Sequence, residues 1–399
     1  MKIGIYIEDF SPSAGGGYTF SNIIKKNIIS SNCEYEICFF FNDKNAPHYI
    51  YENKIIYINT FKEEKKNTGI KEEIKIIIRK FKPNFHNEYK PNFDEEFDNL
   101  LKTENIDLLC IMGPFKLNIS IPYIFIIWDL GHRMLPCFPE LSKNGQWEWR
   151  ESLYKEMLYR ATYIVTGNET GKKEIINNYS IDPNRIHIIP FPVPDFCFEN
   201  IEIPLKMGKI NSPYIFYPAQ FWSHKNHISL IESIALLKNK KNIIINCYLT
   251  GSDQGNLSYI KNQIKKYNLD NQIFILDFVD YPMLIYLYKN ALAMTYVSLM
   301  GPNNLPPLEA AALGCPLIFS NLPGHIEQME GTGIAVNATN PEEICEAVYS
   351  LYINPDLRKK IIIDEIKLSE KYKNYSYFEQ LKKLFDAYSL YLKTWKAVK

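Results

Sequence analysis

Short apolar segments alternate with helical patterns along this chain of 399 residues, and the alternation limits the folds that it can form. The first apolar segment, residues 3–7, runs through a glycine-rich loop, residues 8–17, into a helical pattern over residues 20–28. Strands that alternate with helices in this way pair in parallel, with the helices covering the faces of the sheet. Further strands of this series are predicted at Glu36–Phe41, Lys54–Ile58, Leu108–Met112, Tyr123–Trp128, Tyr163–Thr166 and Ile186–Ile189.

A second series follows the proline-rich stretch Pro190–Pro213, which is predicted to be a hinge. The prediction is therefore an α/β chain of two Rossmann-like, doubly wound domains, residues 1–200 and 201–375, and a final helix within 376–399. In such sheets ligands bind at the carboxyl ends of the strands, so a site is expected between the domains. The second series has predicted strands at Tyr214–Tyr217, Asn242–Leu249, Ile273–Leu276, Leu292–Val297 and Leu317–Ser320, and predicted helices at His227–Leu237, Leu257–Tyr267, Met283–Asn290 and Pro341–Ile353.

The segment from Ser298 to Pro316 joins a predicted strand to a small-residue helix through a loop of Gly, Pro and Asn. Its prolines lack a backbone N–H group, so the strand cannot continue, and the helix is predicted to begin near residues 306–307. Backbone N–H groups at such a start, around Asn304 and Leu305, suit an anion such as a diphosphate. Glu309 lies one turn later, where it can accept hydrogen bonds from a ribose diol.

Candidate site residues also follow other predicted strands. Gly16 and Gly17 let the backbone approach a ligand, or form a flexible turn, and they lack the Gly-x-Gly-x-x-Gly spacing of a dinucleotide site. Asp129 and His132 are candidate sugar contacts, or a helix cap and a structural histidine. Lys225, at a strand-to-helix junction, is a candidate partner for a diphosphate, or an ordinary surface lysine.

The charge balance and the cysteines narrow the function classes. The chain has 45 basic and 45 acidic residues, whereas nucleic-acid-binding proteins usually carry a basic excess. Its eight cysteines form no Cys-x-x-Cys pair, and neither a signal peptide nor a long apolar stretch is present, which predicts a cytoplasmic protein without a transmembrane helix. The basic segment Lys62–Lys82 is either a helix in peripheral contact with the inner membrane surface or a solvated loop.

Ser298–Pro316 resembles the nucleotide-sugar signature of the family 4 glycosyltransferases, which are retaining enzymes of the GT-B fold. The segment keeps the Leu-Pro-Pro-Leu-Glu-Ala core, the closing Gly-x-Pro and the second of the family's two glutamates, Glu309. Gly301 stands where the first glutamate contacts the donor sugar, so the resemblance implies that donor handling differs here.

Other motifs are similar to the same family. Trp128–Glu140 is similar to its His-Asp-Leu and Phe-Pro-Glu elements, and Lys225-Asn226 to its Lys-Asn, with Ala219-Gln220 where Gly-Arg is common. The resemblance implies Asp129, His132 and Lys225 as catalytic residues, with Arg133 as a further anion contact. The donor-binding residues that it implies are Gly16, Gly17, Gln220, Lys225, Gly251, Phe278, Asn303, Asn304, Leu305 and Glu309.

The resemblance implies a hexosyltransferase that moves a sugar, with retention, from a nucleotide-diphosphate sugar to a glycan or lipid-linked acceptor, as in bacterial surface polysaccharide synthesis. It implies no metal and no cofactor besides the donor substrate, and a final helix that crosses back to the N-terminal domain. Two other interpretations stay open. One is a sugar-nucleotide 2-epimerase on the same fold, and the other is a catalytically degenerate nucleotide-sugar-binding subunit, which Gly301 favours. A dehydrogenase is disfavoured by the glycine spacing.

Overall fold

The computed structural model describes residues 1–7, 15–31, 33–41, 49–52, 55–60, 93–202, 210, 213–373 and 375–397. The strands of these residues form two separate sheets, one in each half of the chain. Two predicted features lie outside the described residues, namely the basic segment 62–82 and the start of the first glycine loop, residues 8–14.

The described strands of the N-terminal sheet are β1 (Lys2–Tyr6), β2 (Glu36–Phe41), β3 (Tyr49–Glu52), β4 (Ile55–Asn59), β5 (Leu108–Ile111), β6 (Tyr123–Ile126), β7 (Tyr163–Thr166) and β8 (Ile186–Ile188). Their order is β3-β4-β2-β1-β5-β6-β7-β8, and all neighbours are parallel except β3 and β4. The sequence does not predict β3, because a short antiparallel edge strand interrupts the strand–helix alternation by which the other strands are identified.

The described strands of the C-terminal sheet are β9 (Tyr214–Pro218), β10 (Asn246–Thr250), β11 (Ile273–Ile275), β12 (Ala293–Tyr296), β13 (Leu317–Ser320) and β14 (Ile334–Val336). Their order is β11-β10-β9-β12-β13-β14, and every neighbouring pair is parallel. The strand order reverses direction at β9 here and at β1 in the other sheet. Such reversal points leave a crevice at the carboxyl ends of the strands, which is where open parallel sheets bind ligands.

The helices pack around these sheets. In the described residues they are α1 (Gly16–Ser30), α2 (Phe93–Thr103), α3 (Gly131–Met134), α4 (Pro139–Ser142), α5 (Gln146–Arg160), α6 (Glu169–Tyr179), α7 (His227–Lys241), α8 (Leu257–Lys266), α9 (Tyr281–Asn290), α10 (Leu305–Leu313), α11 (Pro323–Met329), α12 (Pro341–Ile353), α13 (Pro355–Lys373) and α14 (Tyr377–Leu392). Helix α10 begins at Leu305 and ends at Gly314, whose φ of +69° suits a glycine cap.

The last helix, α14, returns to the N-terminal domain, as predicted. Tyr377, Phe378 and Phe385 are fully buried among the side chains of β1, β5 and α1. The Tyr388 hydroxyl donates a hydrogen bond of 3.1 Å to the Asp107 carbonyl oxygen, which fixes the far end of the helix. The predicted GT-B arrangement of two doubly wound domains with a returning helix is therefore confirmed. Within the part of the chain that the structure describes, no helix is both long and apolar enough to cross a membrane.

Candidate active site

A cavity of about 700 Å³ lies between the two domains. Its walls include residues that follow β1 and β6 in one sheet and β9, β10 and β12 in the other. Except for His132 and Arg133, the site residues that the sequence predicts line this cavity, namely Gly16, Gly17, Asp129, Gln220, Lys225, Gly251, Phe278, Asn303, Asn304, Leu305 and Glu309.

His132 lies behind the cavity wall. Its side chain has no exposed surface, and its Nε2 lies 3.3 Å from a Glu151 oxygen and 3.2 Å from the Tyr179 hydroxyl. Burial lowers the pKa of His132, so the ring is held neutral in a polar pocket of the N-terminal domain. In this structure the structural interpretation of the histidine therefore replaces the predicted sugar contact.

Asp129 does face the cavity, directly after β6. Its Oδ1 accepts a hydrogen bond of 2.8 Å from the Gly131 N–H group and lies 3.5 Å from Nη1 of Arg150. The backbone bond fixes the direction of the carboxylate, because it ties the side chain to the start of α3. Asp129 is thus a fixed acceptor at the N-terminal wall.

Arg133, which the sequence offers as an anion contact, is already used inside the domain. Its Nε donates to Glu151 at 2.8 Å, its Nη2 pairs with the other Glu151 oxygen, and its guanidinium lies 4.9 Å from the centre of the Tyr179 ring. Arg133 lowers the pKa of Glu151 to about 2, so this pair stays charged and satisfied. Arg133 therefore supports the buried polar pocket around His132.

Arg150 is the arginine among the described residues that line the cavity, and the sequence did not predict it as a site residue. It lies on α5 in step with Leu153, Tyr154 and Met157, all of which are buried. Residues at these spacings share one face of a helix, so an arginine in this position points inward rather than into solvent. That placement of a charge on an apolar helical stripe is the signal that could have identified it.

Lys225 is held at the cavity by a chain of neutral groups. Its Nζ donates to the Tyr296 hydroxyl at 2.8 Å, and that hydroxyl donates to Asn304 Oδ1 at 2.6 Å. Asn304 Nδ2 then donates to Nε2 of His325 at 2.7 Å. Burial lowers the pKa of His325 to about 4, so its ring is neutral and Nε2 can accept. Lys225 is thereby oriented by groups that leave its positive charge available to a bound anion.

The start of α10 offers an anion fewer donors than the sequence predicts. The Asn304 N–H group donates to Gln328 Oε1 at 3.1 Å, and Gln328 Nε2 donates back to the Asn304 carbonyl oxygen at 2.8 Å. Pro306 and Pro307, in the first turn, have no N–H group. The Asn304 amide is therefore engaged by Gln328 in this structure, and a diphosphate contact at the start of α10 stays a prediction.

Glu309 lies in the cavity wall with 7% of its surface exposed. Its Oε2 accepts a hydrogen bond of 2.8 Å from the Tyr288 hydroxyl, and burial raises its pKa to about 7. A carboxylate that has lost most of its water gains strongly from new hydrogen-bond donors. Glu309 is thus suited to accept hydrogen bonds from vicinal hydroxyl groups, which supply donors in pairs.

Gly301 marks the departure from the family signature. Its φ is +105°, a backbone region that strongly favours glycine. A Cβ atom added there would lie 3.1 Å from Asn304 Nδ2, so a side chain would also crowd the chain of groups that holds Lys225. A glutamate at this position would therefore require a different loop conformation.

Three further predicted residues form the floor and rim of the cavity. Gln220 replaces the family's arginine, and its amide bridges Trp222 Nε1 at 3.0 Å and the Ser252 hydroxyl at 3.1 Å. Gly251 has φ +150°, and a Cβ atom there would lie 2.5 Å from the Ala219 carbonyl oxygen, so the close approach of β9 and β10 requires glycine. Phe278 is 63% exposed at the rim of the cavity, where its ring is accessible to a ligand.

Polar contacts join the two domains beside the cavity, and the sequence did not predict them. Glu140 Oε1 accepts from the His224 backbone N–H at 2.9 Å and lies 2.7 Å from Nδ1 of the same residue. The Glu327 carboxylate accepts from the N–H groups of Glu169 and Thr170 at 2.7 and 2.9 Å, at the positive end of α6. These partners are 84 to 158 residues apart in sequence, so no local pattern reveals them.

Comparison with known proteins finds a family model that matches most of the C-terminal half. Residues 202–367 match the family model described as glycosyl transferases group 1. The O-antigen chain mannosyltransferase RfbU of Salmonella typhimurium is 26% identical over 204 residues, which are 51% of this chain and 55% of that protein. With matches over 55% and 61% of their lengths, the chain spans between half and two thirds of the curated relatives it matches.

Solved structures resemble the chain over nearly its whole length. Sucrose-phosphate synthase of Thermosynechococcus elongatus is 15% identical, with a TM-score of 0.70 and coverage of 98% of this chain and 99% of that one. HepE of Anabaena in complex with UDP is 11% identical, with a TM-score of 0.64 and coverage of 98% and 100%. At these identities the likeness shows the fold. The chain therefore has the GT-B fold, and its residues 202–367 match the model of the glycosyl transferases group 1 family.

Proposed function

We propose that the protein is a retaining, metal-independent family 4 glycosyltransferase that transfers a hexose from a nucleotide-diphosphate sugar to a glycan or lipid-linked acceptor. The proposal places it in the cytoplasm, in bacterial surface polysaccharide synthesis, with peripheral contact at the inner membrane surface. One observation carries the proposal. Lys225 and Glu309 on the C-terminal wall of the cavity face a wall that holds Asp129 and the glycines Gly15, Gly16 and Gly17 at the start of α1.

The C-terminal wall has the groups that a nucleotide sugar needs. Glu309 would accept hydrogen bonds from the two ribose hydroxyls, since it is buried and its Oε2 accepts from the Tyr288 hydroxyl. Lys225 would pair with the diphosphate and stabilise the negative charge that develops as the sugar leaves. The exposed ring of Phe278 would cover the base. The UDP bound to HepE supports a nucleotide in this cleft, and the name of the Salmonella relative supports a hexosyl donor.

The proposed reaction retains the anomeric configuration by attack from the face that the diphosphate leaves. The acceptor oxygen forms the new bond to the anomeric carbon as the bond to the phosphate oxygen breaks. The acceptor's proton passes to that phosphate oxygen, so no side chain has to act as a nucleophile. Asp129, which its bond to Gly131 holds in place, would orient a sugar hydroxyl at the N-terminal wall.

Gly301 favours a second candidate, a subunit that binds nucleotide sugar without turning it over. The family's first glutamate contacts the donor sugar, and the backbone of Gly301 at φ +105° cannot readily carry that side chain. On this alternative the donor site persists while catalysis is lost.

Calorimetric titration of the full chain with UDP, GDP, ADP and their common sugar conjugates tests the donor site. We expect one nucleotide series to bind. We expect Glu309→Ala to weaken its binding about tenfold to a hundredfold, the range for losing hydrogen bonds to a charged group. Glu346→Ala is the matched control, because Glu346 is an exposed glutamate of the same domain that pairs with Lys241.

Turnover of the conjugate that binds then separates the candidates. Release of nucleoside diphosphate with a product of unchanged anomeric configuration, seen by NMR and insensitive to EDTA, supports the proposal. Binding without transfer to any acceptor and without hydrolysis supports the degenerate subunit. If no nucleotide binds at millimolar concentration, both candidates are wrong.

A further inference from the structure

Arg150 brings a second positive charge to the cavity, and it comes from the N-terminal domain. It lies on α5, whereas Lys225 follows β9 in the other domain. We propose that Arg150 binds a phosphate group in the cavity, either the diphosphate of the donor or a phosphate carried by the acceptor. This inference deepens the proposed function and rests on it.

The guanidinium of Arg150 is only partly used by the protein. Its ion pair with Asp129 is 3.5 Å long, and the same Asp129 oxygen already accepts the shorter bond from Gly131. Its Nε atom is buried and has no hydrogen-bond partner among the residues that the structure describes. A buried donor without a partner is costly, so this N–H group favours an acceptor that enters the cavity.

Arg133, in the same domain, has protein partners for its guanidinium and serves as a comparison for Arg150. Its Nε and Nη2 both engage the Glu151 carboxylate, and the ring of Tyr179 lies under the guanidinium. Arg133 therefore has little left to offer a ligand. The difference between the two arginines argues that the open donor on Arg150 serves a ligand rather than the fold.

The described lining of the cavity offers a phosphate few other positive charges. Gln220 is neutral where an arginine is common in similar enzymes, and the Asn304 amide is taken by Gln328. The described residues that line the cavity include one lysine, Lys225, and one arginine, Arg150. The acidic residues in the same lining are Asp129, Glu140, Asp277, Asp280 and Glu309.

The excess of acidic over basic residues in this lining explains why a dianionic diphosphate would need Arg150 as a second positive charge. Lys225 supplies one positive charge, while the lining carries several carboxylates that repel an anion. A planar guanidinium offers paired N–H groups that match two phosphate oxygens, which a lysine cannot do. With Arg150 engaged, the phosphate would be held from both domains at once.

The test compares Arg150→Met with Lys173→Met in the full chain. Lys173 is an exposed cation on α6 of the same domain and lies outside the cavity, so it controls for net charge. Each protein is titrated by calorimetry with the nucleoside diphosphate that binds the wild type, with the corresponding monophosphate, and with geranyl diphosphate as a soluble prenyl phosphate.

Contact with the donor predicts that Arg150→Met weakens nucleoside diphosphate about tenfold to a hundredfold and the monophosphate far less. Contact with the acceptor predicts the same loss for geranyl diphosphate, with nucleotide affinity unchanged. If the variant binds both ligands within about twofold of Lys173→Met, the inference is overturned while the proposed function stands. If the wild type binds no nucleotide, the proposed function itself fails.

A measurement on the wild type keeps the test valid if Arg150→Met does not fold. Phenylglyoxal modifies accessible arginines, and mass spectrometry gives the rate at each site. We expect nucleoside diphosphate or geranyl diphosphate to slow the reaction of Arg150 with phenylglyoxal by about fivefold or more, because phosphate oxygens paired with the guanidinium would shield it from the reagent. Arg133 is the internal control, and equal rates at Arg150 with and without both ligands would refute the contact.

Discussion

The pH dependence of nucleotide-sugar binding tests the role of Glu309 directly. Burial raises the pKa of Glu309 to about 7. Ribose hydroxyls donate hydrogen bonds to the ionised carboxylate, so binding requires loss of the proton. Affinity is therefore expected to be constant well above pH 7 and to fall as the pH drops through 7.

The size of the effect follows from the ionised fraction. With a pKa of about 7, roughly nine tenths of the Glu309 carboxyl groups are ionised at pH 8 and roughly one tenth at pH 6. The Kd should thus rise about tenfold between pH 8 and pH 6, or about 1.4 kcal/mol of binding free energy.

The assay is calorimetric titration with a nucleotide sugar, because both phosphates of such a donor are esterified and do not titrate between pH 6 and 8. Glu309→Gln is the control. It keeps the other titrating groups of the cavity, among them Glu140 and His224, and removes only the carboxylic acid. A wild type whose Kd is flat over this range, or a Gln variant with the same tenfold slope, would refute the assignment of Glu309 to the ribose.

Four further perturbations test other parts of the structure. Tyr296→Phe removes the hydroxyl that orients Lys225, and we expect about tenfold weaker binding of nucleoside diphosphate by calorimetry; equal loss with the free nucleoside would point to a general defect. Gly301→Glu forces a side chain into φ +105°, so we expect about 1–3 kcal/mol less stability and a lower Tm by calorimetry, whereas an unchanged Tm would mean that the loop rearranges freely. Burial raises the pKa of Glu365 from 4.5 to about 8, so the proton of Glu365 stabilises the fold fully below pH 4.5, and this stabilisation is lost as the pH rises through 8. The Tm of the wild type should therefore fall relative to the Tm of Glu365→Gln as the pH rises from 4.5 to 8. A constant difference between the two Tm values would contradict this. Glu327→Ala removes the acceptor of the first two N–H groups of α6, so hydrogen exchange at Glu169 and Thr170, measured by mass spectrometry, should become faster. Continued protection of these amides would show that this contact between the domains is dispensable.

The fold was largely predictable because its central strands are apolar runs with helices between them. Strands β2, β7 and β13 have the predicted limits, since both faces of each are covered and the pattern stops where the burial stops. The edge strands β3 and β14 were not predicted. Each is only three or four residues long and has no predicted helix between it and the neighbouring strand or loop, so the alternation that identifies the other strands does not mark it.

The candidate site was predictable where it depends on local chain direction and not where it depends on distant partners. Asp129 and Lys225 lie between a strand and the helix that follows it, and Glu309 lies one turn into α10, so the sequence alone places them near the sheet edge. Whether a donor or charge is free depends on residues far along the chain. Gln328 takes the Asn304 amide, and Glu151 engages Arg133 and leaves Arg150 to the cavity. Such competition is settled by packing, which a single sequence does not display.

The return of α14 has a consequence for how the two walls of the cavity move. The polypeptide passes from one domain to the other twice, between β8 and β9 and again between α13 and α14. Two passages define a line, so the domains are expected to rotate about it, and twisting or sliding would strain one passage or the other. With 16 residues at about 1.5 Å each, α14 anchors the second passage over roughly 24 Å of the N-terminal domain. Groups on the two walls would then meet along one fixed arc, and a chain cut after Lys373 would lose that guidance while keeping every residue of the cavity.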